Sequence, residues 1–180
     1  NAGEVILDIR NLDIQSVSDA AGQPLRFDIG ADDAIKGQPL TVHFPAAEGD
    51  GRRKIIVRYS TRPDAAALQW LTPAQTAGGQ KPYLFSQGQA ILTRTWVPTQ
   101  DSPGIRQTYS ARITAPADLT VVMSADHLTP NGEPAGNGMK TWRFRMDNPI
   151  PPYLIALGVG VIAFAPFDGR TGVWTEPSRL

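Results

Sequence analysis

Period-two alternation of apolar and polar residues recurs along this chain, and it confines the fold to strands. Val5, Leu7 and Ile9 alternate with Ile6, Asp8 and Arg10, and Leu40, Val42 and Phe44 alternate with Thr41 and His43. Ile55, Val57 and Tyr59 repeat the pattern, as do Tyr109, Ala111 and Ile113, with a shorter run at Leu25, Phe27 and Ile29. The plainest case is Trp142, Phe144 and Met146 set against Arg143, Arg145 and Asp147. Successive side chains of a strand point to opposite faces, so such runs predict antiparallel sheets with one apolar and one wet face. No segment carries a capped apolar stripe of period 3.6, and only a short helical turn is expected, near residues 63–68. The 16 prolines and 17 glycines gather between the runs, as in Gly49-Asp50-Gly51, Ser102-Pro103-Gly104 and Pro130-Asn131-Gly132. These residues supply the fixed or positive φ that turns need. The predicted class is all-β, an antiparallel sandwich.

Two stretches break the alternation. Residues 68–89 read as a long loop rich in Gln and Gly, with Trp70, Tyr83 and Phe85 expected as packing residues, like Trp96 further on. Asn148-Pro149-Ile150-Pro151-Pro152 forms a stiff entry into the apolar run 153–165. That run is shorter than the span of about 30 Å of hydrocarbon requires, and it reads as a buried strand or strand pair. Gly158 and Gly160 within it are expected to permit close backbone packing. Residues 1–4 lack the basic and apolar regions of a signal peptide. A strand pattern begins at once at Val5, and the chain ends as bluntly, which points to a fragment. Its 180 residues suit one domain.

The same residues exclude several chemistries. Seventeen basic and seventeen acidic side chains cancel, so no net field draws the chain to nucleic acid or membrane. With no cysteine there is no disulfide frame, thiolate metal site or cysteine nucleophile; cytoplasmic and periplasmic locations both remain open. His43 and His127 are the only histidines, far apart in sequence and without a second ligand at zinc spacing. No G-x-S-x-G elbow or phosphate-cradling glycine loop occurs. Asp32 and Asp33 read as a solvated turn rather than a catalytic carboxylate pair.

One polar candidate remains, Ser86-Gln87-Gly88-Gln89-Ala90. If extended, it places Gln87 and Gln89 on one face, where two amides could hold a polar ligand such as a peptide terminus. Two surface glutamines on a strand would look the same. From the residues alone the chain is a β-sandwich with no metal site and no catalytic set.

Several strings, taken in chain order, resemble the zinc aminopeptidase family that includes leukotriene A(4) hydrolase. They are Ala67-Leu68-Gln69-Trp70-Leu71-Thr72-Pro73, Pro82-Tyr83-Leu84-Phe85-Ser86-Gln87, Gln87-Gly88-Gln89-Ala90-Ile91, Gln100-Asp101-Ser102-Pro103, Pro149-Ile150-Pro151-Pro152-Tyr153-Leu154-Ile155-Ala156-Leu157 and Val173-Trp174-Thr175-Glu176-Pro177. The resemblance implies an N-terminal saddle-like β-domain, residues 1–180, lacking its first strands and detached from a zinc domain and a helical C-terminal domain. The family's H-E-x-x-H and G-x-M-E-N segments do not occur here. Zinc is therefore implied for the full-length enzyme and not for this chain.

The resemblance also gives a role to Q-x-Q-A. It puts Gln89 at the cleft wall, holding the α-amino group of a peptide substrate, with Gln87 and Ala90 as neighbours. Gly88 stands where some family members have cysteine. Catalysis by zinc-activated water and a glutamate base belongs to the other domain, so this chain alone is expected to be inactive; the resemblance covers plain aminopeptidases and an epoxide hydrolase alike. An independent β-sandwich binding or interaction module is the alternative, with Trp70 and Tyr83 as its aromatic platform.

Overall fold

The computed structural model describes residues 3–45 and 52–180; the turn expected at Gly49-Asp50-Gly51 lies outside them. Every strand pairing among the described residues is antiparallel. The only helical elements there are single 3₁₀ turns of three residues. Among the described residues no helix is long and apolar enough to cross a membrane. The chain divides into two compact units.

The first unit comprises Asn1–Ala67, Gly88–Ile105 and Pro151–Tyr153. Its strands are Glu4–Ile9 (β1), Leu12–Asp19 (β2), Phe27–Ile29 (β3), Gln38–His43 (β4) and Ile55–Thr61 (β5). They form a three-stranded sheet in the order β1-β4-β3 and a two-stranded sheet β2-β5. The alternating residues meet between the sheets: Ile9, Leu12, Val17, Leu40 and Val42 are buried together, with Leu7, Phe27, Val57 and Tyr59 packed against them. Burying each large apolar side chain contributes about 1.5–3 kcal/mol.

β2 escaped the sequence pattern for a structural reason. Its register with β5 shifts between Ile14 and Ser16, a bulge at Gln15. One extra residue flips the parity of all that follow, so Leu12 and Ile14 share a face with Val17 and no period of two survives.

The second unit comprises Leu68–Gln87, Arg106–Ile150 and Leu154–Leu180. It holds Leu68–Leu71 (β6), Tyr83–Ser86 (β7), Gln107–Pro116 (β8), Thr120–Met123 (β9), Asp126–His127 (β10), Glu133–Pro134 (β11), Met139–Ile150 (β12), Leu157–Gly160 (β13), Ala163–Pro166 (β14) and Gly172–Thr175 (β15). One sheet runs β6-β7-β13-β9. In another, β12 pairs with β8 along one edge and with β10 and β11 along the other; β14 and β15 form a hairpin.

Trp142 and Phe144 are 1% exposed, as their alternation predicts, while Arg143 and Arg145 face outward. The alternation stops at Met146 because the β8 register breaks between Met146 and Ile150. The expected loop at 68–89 instead contains the paired strands β6 and β7. Their four-residue length is too short to show a period amid the surrounding Gly, Gln and Pro. No helix forms at residues 63–68, which are turns and the start of β6. The apolar run supplies β13 and β14, and Gly160 is needed there: a Cβ would lie 2.3 Å from Cδ2 of Tyr83.

Candidate functional site

Gln87 and Gln89 do not lie on one extended strand. β7 ends at Ser86, and residues 89–92 form a turn instead. The N–H of Leu92 donates to the carbonyl of Gly88 at 2.8 Å, closing a single turn over Gln89, Ala90 and Ile91. The Gln89–Ala90 peptide is cis. Gln87, Gln89 and Ala90 are exposed, while Gly88 is buried. Gln87 belongs to the second compact unit; Gln89 and Ala90 belong to the first. The alternation rule that would have paired the two amides therefore does not apply.

Buried residues hold the turn from both ends. On one side Gly88 lies against Tyr153, where a Cβ would sit 2.8 Å from the Tyr153 Cα and carbonyl oxygen and 2.9 Å from Oγ1 of Thr93. A cysteine at this position would require backbone to move, so glycine suits this chain's packing. On the other side a 3₁₀ turn, Thr93–Thr95, is wholly buried. Thr95 Oγ1 donates to the Leu92 carbonyl at 2.7 Å and accepts from the Ala67 N–H at 3.0 Å. The phenol of Tyr59, whose pKa burial pushes up, donates to the Trp96 carbonyl at 3.0 Å.

A polar network continues this scaffold. Arg94, 4% exposed, directs its guanidinium at Asp101, 1% exposed. The Arg94 N–H and Nε both donate to Asp101 Oδ2, at 3.0 and 3.2 Å. Nη2 donates to the Asp101 carbonyl at 2.6 Å, Nη1 donates to the Lys36 carbonyl, and Asp8 Oδ2 lies 3.5 Å from Nη2. The sequence pattern did not single out Thr93, Arg94 or Thr95, because buried polar residues leave no hydrophobic period.

The remaining candidates do different things. His43 is half-buried on β4 between two carboxylates, its Nε2 2.6 Å from Asp28 Oδ2 and its Nδ1 3.6 Å from Glu4 Oε2. The carboxylates address opposite ring nitrogens, so they cannot share one ion with the imidazole. His127 stacks on Phe144 at 4.6 Å, and burial pushes its pKa down. Among the described residues no three His, Cys, Asp or Glu side chains group as a metal site. A zinc centre does not fit the described part of this chain.

Asp33 caps a turn as the sequence suggested. Its Oδ1 accepts from the N–H groups of Lys36 and Ile35, which hold its carboxyl below the usual carboxylate range. The second unit has a cleft of about 280 Å³ lined by Tyr83, Val161 and Glu176. The Glu176 carboxylate there is already engaged by the N–H groups of Ala77 and Gly78, at 2.8 and 3.1 Å.

Trp70 is not a packing residue, being 60% exposed. It pairs with Leu84, while Tyr83 pairs with Leu71, one residue out of step. Trp70 and Tyr83 therefore leave opposite faces of the β6-β7 pair and form no common platform.

Residues 1–154 match the peptidase M1 N-terminal domain, and the chain belongs to that family. It is 39% identical over 179 residues to leucine aminopeptidase 2 of Yarrowia lipolytica, covering 98% of this chain and 26% of that protein. It superposes on the native leukotriene A4 hydrolase structure from Saccharomyces cerevisiae with a TM-score of 0.85 and 34% identity, over 100% of this chain and 26% of that one. An M1 zinc metallopeptidase from Deinococcus radiodurans shares the fold, with a TM-score of 0.70 at 24% identity over 96% of this chain and 38% of that one. The chain spans 26–29% of the length of the first curated relatives it matches.

Proposed function

We propose that residues 1–180 are the amino-terminal part of a zinc-dependent aminopeptidase that removes N-terminal residues from peptides. In this reading the zinc, the catalytic water and the base reside in the rest of the polypeptide, which is this domain's first partner. The chain's own contribution is a wall of the substrate cleft. Gln89 accepts a hydrogen bond from the substrate's α-ammonium through its amide oxygen, and Gln87 and Ala90 flank it.

The observation that carries this reading is the exposed Gln89 on a turn whose flanks, Gly88 and Thr93–Thr95, are buried. An ammonium offers only donors and needs a fixed acceptor. A held turn supplies one without the entropic cost of ordering a loose loop at each binding event. The name of one relative, leucine aminopeptidase 2, agrees with a substrate handled at a free amino terminus.

The test is Gln89→Ala in the full-length protein. A hydrogen bond to a charged group contributes about 1.5–3 kcal/mol, so kcat/KM on aminoacyl substrates should fall roughly 10- to 150-fold. An unchanged kcat/KM removes Gln89 from the site.

A further inference from the structure

The geometry points to Arg94 as a positioning residue: its buried guanidinium, locked to Asp101, sets where the turn presents Gln89. The inference rests on the α-amino role proposed for Gln89 and extends it to a residue with no reach to substrate.

Arg94 lies five residues after Gln89, and the backbone between them is closed by overlapping hydrogen bonds. Leu92 N–H reaches Gly88, Thr95 N–H reaches Leu92, and Trp96 and Val97 N–H both reach Thr93. A displacement at residue 94 therefore passes back through this short hydrogen-bonded segment. At the other end Gly88 packs closely on Tyr153, where a Cβ would sit 2.8 Å from its Cα and carbonyl oxygen.

The Arg94 end is over-determined. The guanidinium fork contacts Asp101 Oδ2, the Asp101 carbonyl and the Lys36 carbonyl, with Asp8 at its edge. The Arg94 carbonyl accepts from Arg10 N–H at 2.9 Å, and Asp101 N–H donates to Asp8 Oδ2 at 2.8 Å. One cation thus ties the 3₁₀ turn to β1, to the segment before β4 and to the turn at Asp101. A planar fork with several donors defines an orientation; a lysine ammonium keeps the charge but not the fork. Isolated burial of such a charge would be costly, so the network is specific to this arrangement.

The test is a double-mutant cycle in the full-length protein with Arg94→Lys and Gln89→Ala. Arg94→Lys alone should lower kcat/KM for aminoacyl substrates by roughly tenfold. Added to Gln89→Ala, it should lower kcat/KM no further, because the group it positions is gone. A thermal-unfolding scan of all four proteins reads the structural effect separately, and this should be the same in both backgrounds. If the two losses multiply instead, Arg94 acts on the fold alone and the inference falls while Gln89 keeps its role. If Gln89→Ala is itself without effect, the α-amino reading falls and takes this inference with it. Should Arg94→Lys fail to fold, Asp8→Asn, which trims the network from its half-buried edge, replaces it in the same cycle with the same outcomes.

Discussion

The paired strands β8 and β12 and the segment Gly88–Ile105 are both ordered, but they reach order by opposite routes. β12 pairs with β8 from Met139 to Met146 through backbone hydrogen bonds, and its buried face is Trp142 and Phe144. Gly88–Ile105 has no strand and only one 3₁₀ turn, yet Thr93, Arg94, Thr95, Thr99 and Asp101 within it are buried. The side chains of Arg94, Thr95 and Asp101 bond backbone groups that a ladder would pair in a sheet, and Thr99 exchanges backbone hydrogen bonds with Asp8. A ladder fixes a surface and repeats. A side-chain network fixes one particular turn, as the role proposed for Gln89 requires.

Three variants probe that contrast. The largest effect is expected at the ladder: Trp142→Ala should destabilise the chain by about 3–5 kcal/mol in chemical unfolding, because it empties a nearly closed site. A loss under about 1 kcal/mol would mean that the ladder, not its apolar face, holds β12. Thr95→Val keeps volume but removes the hydroxyl that bridges Leu92 and Ala67. Leaving the Ala67 N–H without its partner should cost about 1–3 kcal/mol. A neutral result would show that the segment is held by shape rather than by hydrogen bonds.

The smallest effect concerns pH. Burial pushes the His127 pKa down, and its Nε2 is buried with no hydrogen-bond partner. The unfolded imidazole, with a pKa of about 6.5, therefore takes up a proton before the folded one does. Stability should decline as pH falls through that value and level off below the folded pKa. His127→Phe should flatten the decline between about pH 7 and 5. Superimposable profiles for the two proteins would mean that the ring titrates alike in both states.

The same contrast explains what the sequence displayed. Strands β1, β4, β5, β8 and β12 were legible because alternation is imposed by the pleat and their buried faces are apolar. β2 was hidden by one inserted residue, and β6 and β7 by their brevity. The exposure of Trp70 was misread because aromatic character alone does not say which face a residue occupies. The candidate turn was legible only as a string of residue types. Its true form depends on contacts far along the chain, Gly88 with Tyr153 and Arg94 with Asp8 and Lys36, which carry no local period.

The role assigned to Gln89 is tested most directly by binding rather than turnover. Calorimetric titration of the full-length protein with L-phenylalanine and with 3-phenylpropionic acid compares ligands that differ by the α-amino group. Gln89→Ala should raise the Kd of the amino acid by about tenfold or more and leave that of the acid unchanged. Equal shifts for the two ligands, or none for either, would contradict the account.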